Sequence, residues 1–295
     1  MSLRTSLARS VPAPLRKAVR MAEHYVRRHR EWVQILGEMR GATKRDSALL
    51  WASALACPVT ALTRLDGFEP PVLLGDIAVH CVGTGTFYPR KGTDDIIHIL
   101  NAREPHVRSA LEDWLRPGDV FVDAGANIGY FSIIAARVVG VHGRVIAVEM
   151  MPQTAARLRL HTEANAAGTV TIIENALSDR AGDTVTATRS PQKHGQASIT
   201  IGNSSDRTIS VTVKTVTLEA VLTDIPRVRL IKMDLEGAEF LALSGAGAAL
   251  DRIDAIVFEN NSEDSRIPDL LASRGFTVSG LSGHDYLAQR VPISK

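Results

Sequence analysis

The sequence predicts a doubly wound α/β fold: a mostly parallel sheet covered by helices on both faces, with a helical extension in front of it. Three observations carry this. From Val120 onward, short and nearly continuous apolar runs alternate with helical segments, the pattern of strands buried on both faces. The first of these runs ends in an aspartate and a glycine-bearing turn, "VFVDAGANIG". The next two also end in polar groups, Glu149 and then Glu174–Asn175.

Taken in order, residues 1–66 read as two or three helices, one around Leu15–Leu36 and another around Ser47–Leu62. "GFEPPVLLGD" (67–76) breaks the pattern with paired prolines. Strand-like pieces follow at "VLLG" and "IAVHCV", and residues 94–115 have a helical rhythm interrupted near Pro105. The strands of the α/β body are "VFVDAG", "RVIAVE", "VTIIENA", "RLIKMDL" and "DAIVFEN". Helices such as "GYFSIIAARVVG" and "PQTAARLRLHTEANAAG" lie between them. Residues 183–216 are the exception, rich in Thr, Ser and Val without helical period. They predict strands or a hairpin at 184–188 and 208–216, joined by a long polar loop. The expected divisions are a basic extension (1–66), a connecting segment (67–103) and the α/β domain (104–295).

Charge is unevenly placed. The chain of 295 residues has a formal net charge of +2. Residues 1–46 hold eleven Lys/Arg against four Asp/Glu, a net +7, which leaves −5 on the rest. An acidic body is a poor match for nucleic acid, whose binding rests on many phosphate contacts. The basic start can face a membrane surface, an acidic partner or the body itself; a solvated helix face is the plainer reading. Such helices can also pair subunits, giving a homodimer, or lid a site. "ALLWASALACPVTALTRL" (48–65) is the most apolar segment, but Pro58 interrupts it and it is short for a membrane span. The N-terminus lacks a continuous apolar core of a secretory signal, and two isolated cysteines, Cys57 and Cys81, suit a reducing compartment. A cytoplasmic protein is the expectation.

In a doubly wound sheet, ligands bind beyond the carboxyl ends of the strands, where the strand order switches. Asp123 stands at such an end. Gly125 allows the tight turn, and Gly129 lets the next helix approach the sheet. The stretch is D-x-G-x-N-x-G rather than G-x-G-x-x-G. An aspartate there repels a pyrophosphate and welcomes a cation, which disfavours a nicotinamide dinucleotide. S-adenosylmethionine carries both a sulfonium and an α-ammonium. Glu149, at the end of the second strand, suits two ribose hydroxyls, and Asn175 falls where an adenine edge would lie.

The motifs "FVDAGANIGYFS", "VIAVEMMPQTAARLRLHTEAN", "ENALSDRAG", "VTLEAVL" and "IKMDLEGAEFLALSGA" occur in this order. On them, the chain from about Glu104 to Glu259 resembles the FkbM-type methyltransferases, a group of class I S-adenosylmethionine-dependent O-methyltransferases. The proline that usually follows the second-motif glutamate is displaced to Pro152, and Glu219 stands where the family has an aspartate. The resemblance implies a Rossmann-like sheet of seven strands. It also implies a cofactor site drawn from Asp123, Gly125, Ala126, Asn127, Gly129, Glu149, Met150, Asn175 and Ala176. The acceptor it implies is a hydroxyl of a sugar, an oligosaccharide or a glycosylated natural product, with a polyketide, lipid or other small molecule as the alternative.

A weakly acidic alcohol needs a base or a metal to become a nucleophile. Asp234 ends the fourth strand, with Lys232 two residues before it and Glu236 and Glu239 just after. The fifth strand ends in Glu259–Asn260. Asp234 is therefore a candidate base, and Asp234, Glu259 and Asn260 are candidate oxygen ligands for magnesium. The opposing reading makes Glu236 and Glu239 helix-start acids and Glu259 a structural one. His194, in the long polar loop, is a second candidate base. No Asn/Asp-Pro-Pro-Tyr/Phe motif follows the fourth strand, which argues against amine methylation.

Overall fold

A computed structural model of the chain describes residues 13–63, 70–166, 168–189, 197–199 and 209–290. The first helix, α1 (Ala13–Glu38), has Pro14 in its opening turn, where a missing N–H costs nothing. Its residues Arg28, Trp32 and Ile35 are buried at helical spacing, and Met39 continues that face. The chain passes through β1 (Met39–Gly41) into α2 (Lys44–Leu55), capped by Thr43 Oγ1 accepting from Asp46 N, and then α3 (Cys57–Thr63). β2 (Val79–Cys81) and β3 (Gly85–Phe87) complete a small antiparallel sheet in the order β1-β2-β3. "VLLG" is not a strand. Val72 and Leu73 are buried, and Leu74 N donates to Ser53 Oγ of α2 rather than to a strand partner. The predicted break near Pro105 separates α4 (Asp95–His98) from α5 (Pro105–Trp114).

The body alternates β4 (Val120–Ala124), α6 (Tyr130–Val139), β5 (Arg144–Val148), α7 (Pro152–Asn165) and β6 (Val170–Ile173). Then come β7 (Ala176–Leu177), β8 (Thr184–Arg189), β9 (Ala197–Ile199) and β10 (Ile209–Val216). These four form a separate sheet in the order β7-β10-β8-β9, with β8 and β10 antiparallel as the composition of 183–216 predicted. The chain returns through α8 (Leu218–Val221), β11 (Leu230–Met233), α9 (Glu239–Ser244) and β12 (Ala255–Glu259). It ends with α10 (Arg266–Ser273), β13 (Phe276–Ser282) and β14 (Asp285–Arg290).

The main sheet has seven strands in the order β13-β14-β12-β11-β4-β5-β6, and only β14 runs against the others. Neighbouring residues of each central strand enter different cores. Phe121, Val145, Leu230 and Val257 join one apolar cluster; Val122, Ile146, Ile231 and Ile256 join the other. That alternation into two apolar layers is why the strands read as continuous hydrophobic runs. Trp32, Met39, Leu50 and Cys57 belong to the same cluster as Phe121 and Ile133, so the N-terminal helices share one core with the sheet. β4 lies between β5 and β11, which places the switch point at its carboxyl end.

Candidate functional site

The turn after β4 is held from three sides. Gly125 N and Ala126 N both donate to Val148 O of β5, at 3.0 and 2.9 Å, and Asp234 N donates to Ala124 O at 3.0 Å. Gly125 has φ +81, and a Cβ there would lie 1.8 Å from Asp234 O. Asn127 takes the left-handed conformation, φ 48. Its N–H donates to Glu149 Oε2 at 3.0 Å, while Met151 N donates to Glu149 Oε1 at 2.8 Å. Burial first, and Asp123 nearby, push the Glu149 carboxyl up to about 7 despite these two bonds. Behind the turn, His161 is fully buried. Its Nδ1 bonds Ile128 O at 2.7 Å and its Nε2 accepts from Tyr88 N at 3.0 Å, so the ring is a neutral strut between the turn and the segment after β3. Burial lowers its pKa to about 4.

This turn forms one wall of a cleft with about 960 Å³ of empty space, counting its open mouth. Gly125, Ala126, Asn127, Glu149, Met150, Asn175 and Ala176 all line it. Gly129 and Asp123 do not. Gly129 starts α6 at φ 90 with Leu158 against it. Asp123 is 1% exposed, and Ser132 Oγ donates to its Oδ2 at 2.6 Å. Two buried acceptors at this turn, Asp123 Oδ1 and Asn127 Oδ1, have no hydrogen-bond partner. Of the two residues only Asn127 lines the cleft, and an unpaired acceptor there calls for a donor or a cation.

Beyond the cleft lies a second cavity of about 580 Å³. The two share Arg103, Glu104, Lys232, Asp234 and Glu236; the second adds Glu259, Asn261 and Asp285. Lys232 Nζ lies 3.1 Å from Asp234 Oδ2 and 5.4 Å from the Phe131 ring centroid. Burial alone would lower its pKa, but Asp234 and Asp123 reverse that and hold the ammonium well above its usual pKa. Burial raises the Asp234 carboxyl, and Lys232 outweighs it, leaving Asp234 below the usual carboxylate range. Glu259 moves the opposite way, to about 7, through burial and then the charge of Asp234. Glu236 is likewise pushed to about 7, by burial and by Asp234. Glu104 and Glu236 also sit at positive φ, 49 and 51, so three of the four non-glycine residues with positive φ among those described (with Asn127) line the cleft. Strain of this kind collects where side-chain placement matters more than backbone comfort.

Of the oxygen set expected for magnesium, Asp234 and Glu259 line the same cavity, and Asn260 does not join them. Asn260 is buried, with Oδ1 accepting from Asp264 N at 2.9 Å and Nδ2 donating to Asp264 O at 3.2 Å. Its amide secures the turn after β12, and the neighbouring Asn261 lines the cavity instead. Lys232 already neutralises Asp234. Among the described residues no group of three or more His, Cys, Asp or Glu is arranged to hold a metal ion. The three-ligand set Asp234, Glu259 and Asn260 is therefore not the arrangement found. His194 lies outside the described residues. The sequence reading missed Arg103, Glu104 and Asp285, and it missed His98, which lines the cleft and pairs with Asp94 at 3.3 Å. It also missed that His106 Nε2 meets Asp285 Oδ2 at 2.6 Å. Pro105 marks a break, but the residue before a proline is expected extended, whereas Glu104 is left-handed.

Among proteins of known activity, the chain is similar to the hexuronic acid methyltransferase AglP of Haloferax volcanii, 27% identical over 171 residues. That match spans 57% of this chain and 62% of AglP. Among solved structures it is similar to a precorrin-6y C5,15-methyltransferase from Geobacter metallireducens (TM-score 0.41, 16% identity, 64% of this chain and 90% of that one). Others are an rRNA methylase from Streptococcus thermophilus (0.39, 13%, 63% and 94%) and the fibrillarin of Aeropyrum pernix with bound S-adenosyl-L-methionine (0.41, 11%, 74% and 94%). Residues 123–278, just over half of the chain, match the family described as the methyltransferase FkbM domain, from Asp123 at the end of β4 into β13. With the seven-stranded sheet and the cleft at its switch point, the chain belongs to the FkbM methyltransferase family.

Proposed function

We propose that this methyltransferase uses S-adenosylmethionine to methylate a hydroxyl of a saccharide or glycosylated small molecule, bound in the second cavity. The observation that carries this reading is the junction of the two cavities, where Asp234, Lys232 and Glu236 belong to both walls. The orphaned acceptor Asn127 Oδ1, with the Asp123 carboxylate buried behind it, fits a cationic ligand, and Glu149 retains lone pairs for ribose hydroxyls. Bound there, the cofactor supplies an electrophilic methyl carbon.

The chain's own residues align and deprotonate the acceptor. Asp234, kept ionised by Lys232, accepts a hydrogen bond from an acceptor hydroxyl and orients it. Glu259, with a pKa of about 7, is matched to taking the proton near neutral pH. The polar lining of the second cavity, Arg103, Glu104, Asn261 and Asp285 among it, suits a polyol better than an apolar chain. The similarity to a hexuronic acid methyltransferase supports a sugar acceptor. The experiment is methyl transfer from labelled S-adenosylmethionine to a panel of mono- and oligosaccharides, with phenols, fatty alcohols and RNA alongside. Labelling of saccharides above the others supports the reading; labelling of only non-sugar acceptors contradicts it.

A further inference from the structure

Asp285 is brought to the second cavity by the hairpin of β13 and β14. Ser282 pairs with Asp285 across that hairpin, leaving Gly283 and His284 as a two-residue turn, with Gly283 at φ 58. On its other side β14 pairs with β12, and Asp285 stands opposite Glu259. Asn260 N donates to His284 O at 2.9 Å, so Glu259 and Asp285 form the adjoining pair without mutual hydrogen bonds. In such pairs the Cα atoms lie about 4.5 Å apart and the side chains share a face. From the first turn of α5, His106 Nε2 meets Asp285 Oδ2 at 2.6 Å, and the two side chains are only 24% and 21% exposed. That enclosure sets the pair apart from a solvent-screened surface bridge. Among the described residues, His106 is the one hydrogen-bond partner of the Asp285 carboxylate.

We infer that Asp285 binds the acceptor through the hydroxyl next to the one methylated, which makes the acceptor a vicinal diol, and that His106 positions Asp285 for this. The inference rests on the hydroxyl-methylating reading above and narrows its substrate class. Glu259 and Asp285 stand side by side on the cavity wall. Hydroxyls on neighbouring carbons offer one donor to each carboxylate, whereas a lone alcohol serves one and leaves the other bare. An ionised carboxylate only accepts, so His106 at Oδ2 is the donor and Oδ1 is left for the acceptor. Burial, Glu104 and Asp234 all work against the charge of Asp285, and His106 favours it. Placing another acid among acids is costly unless donors meet it. In the transfer, the oxygen of the first hydroxyl bonds the methyl carbon as the carbon–sulfur bond breaks, and its proton passes to Glu259. The second hydroxyl keeps its proton, shared with Asp285.

The test takes the best acceptor of the saccharide panel, locates the new methyl group by NMR of the product, and compares that acceptor with its analogue lacking the adjacent hydroxyl. Wild type should lose about 10- to 100-fold in kcat/KM on the deoxy analogue, the usual worth of a hydrogen bond to a charged group. Asp285→Ala should treat the two acceptors nearly alike. His106→Ala should raise KM for the diol about fivefold, with kcat and the deoxy analogue moved far less. His106→Gln, which keeps a donor near the place of Nε2, should restore most of that loss. Wild type that methylates the deoxy analogue as well as the diol overturns the inference and needs no variant to fold. So does an Asp285→Ala variant that still discriminates between them, and so does a His106→Ala variant that slows both acceptors equally, since His106 is then structural. In those three cases saccharide methylation itself stands. Labelling of non-sugar acceptors that carry a single hydroxyl, and of no saccharide, removes that reading and this inference together.

Discussion

The carbonyl oxygen of Asp234 lies 1.8 Å from the point where a Cβ on Gly125 would stand. The turn after β4 and the end of β11 are thus in backbone contact, and this contact sets the distance between the cleft wall at that turn and the acidic groups of the second cavity. It is why the motif needs glycine here: φ +81 disfavours any other residue, and the space admits none.

Gly125→Ala is accordingly expected to destabilise the fold by about 2 kcal/mol or more, because both strain and a backbone clash oppose it. Gly118→Ala is the control: it has a comparable φ of 89, but nothing lies within 4 Å of its Cβ. Urea unfolding of the two variants checks this. Equal losses would show that the contact between β4 and β11 is slack.

Asp234→Asn should leave S-adenosylhomocysteine affinity within a small factor and reduce kcat by about 100-fold or more, the usual worth of acid–base and orienting groups. The carboxamide keeps the shape but loses the charge that holds Lys232. Single-turnover kinetics beside calorimetry separate the two effects, and full activity would move the chemistry elsewhere.

Turnover should rise with pH through about 7 as Glu259 loses its proton, since burial and Asp234 raise its pKa and only the ionised form accepts a proton. Glu149 and Glu236 are raised to a similar value, so the wild-type profile alone does not single out Glu259. Glu259→Gln does: the residual activity should lose the ascending limb. A limb that persists unchanged assigns it to another group.

His161 should make the fold acid-sensitive. Its folded pKa of about 4 lies below its unfolded value of 6.5, so the unfolded chain takes up the proton first as pH falls. The contribution is intact above 6.5 and is lost progressively toward about 4, by at most about 3 kcal/mol. Glu149 acts oppositely in the acid range, because its folded pKa is raised. The difference between wild type and His161→Gln isolates the histidine. Parallel stability–pH curves would mean that His161 protonates freely in the folded state.

Much of this was legible in the sequence, for one physical reason. The central strands face an apolar layer on each side, so Phe121–Val122 and Leu230–Ile231 read as continuous runs a few residues before a carboxylate. What escaped depends on how the chain turns. Asn260 and Asn261 are identical side chains one residue apart, and only the turn capped onto Asp264 decides that the second faces the cavity. Arg103 and Glu104 reach the site through a left-handed backbone at Glu104 that composition does not announce. Phe276–Ser282 and Asp285–Arg290 gave no strand signal strong enough to read. The pairing of β14 with β12 nevertheless brings Asp285 opposite Glu259.

The most direct test of the central claim is calorimetric titration of the purified chain and its Glu149→Ala variant with S-adenosylhomocysteine, and with NAD under the same conditions. The account predicts micromolar-range binding of S-adenosylhomocysteine to the wild type, its loss in a folded Glu149→Ala variant, and no binding of NAD. Wild-type binding of NAD, or S-adenosylhomocysteine affinity unchanged by Glu149→Ala, would show that the cleft after β4 is not the cofactor site described.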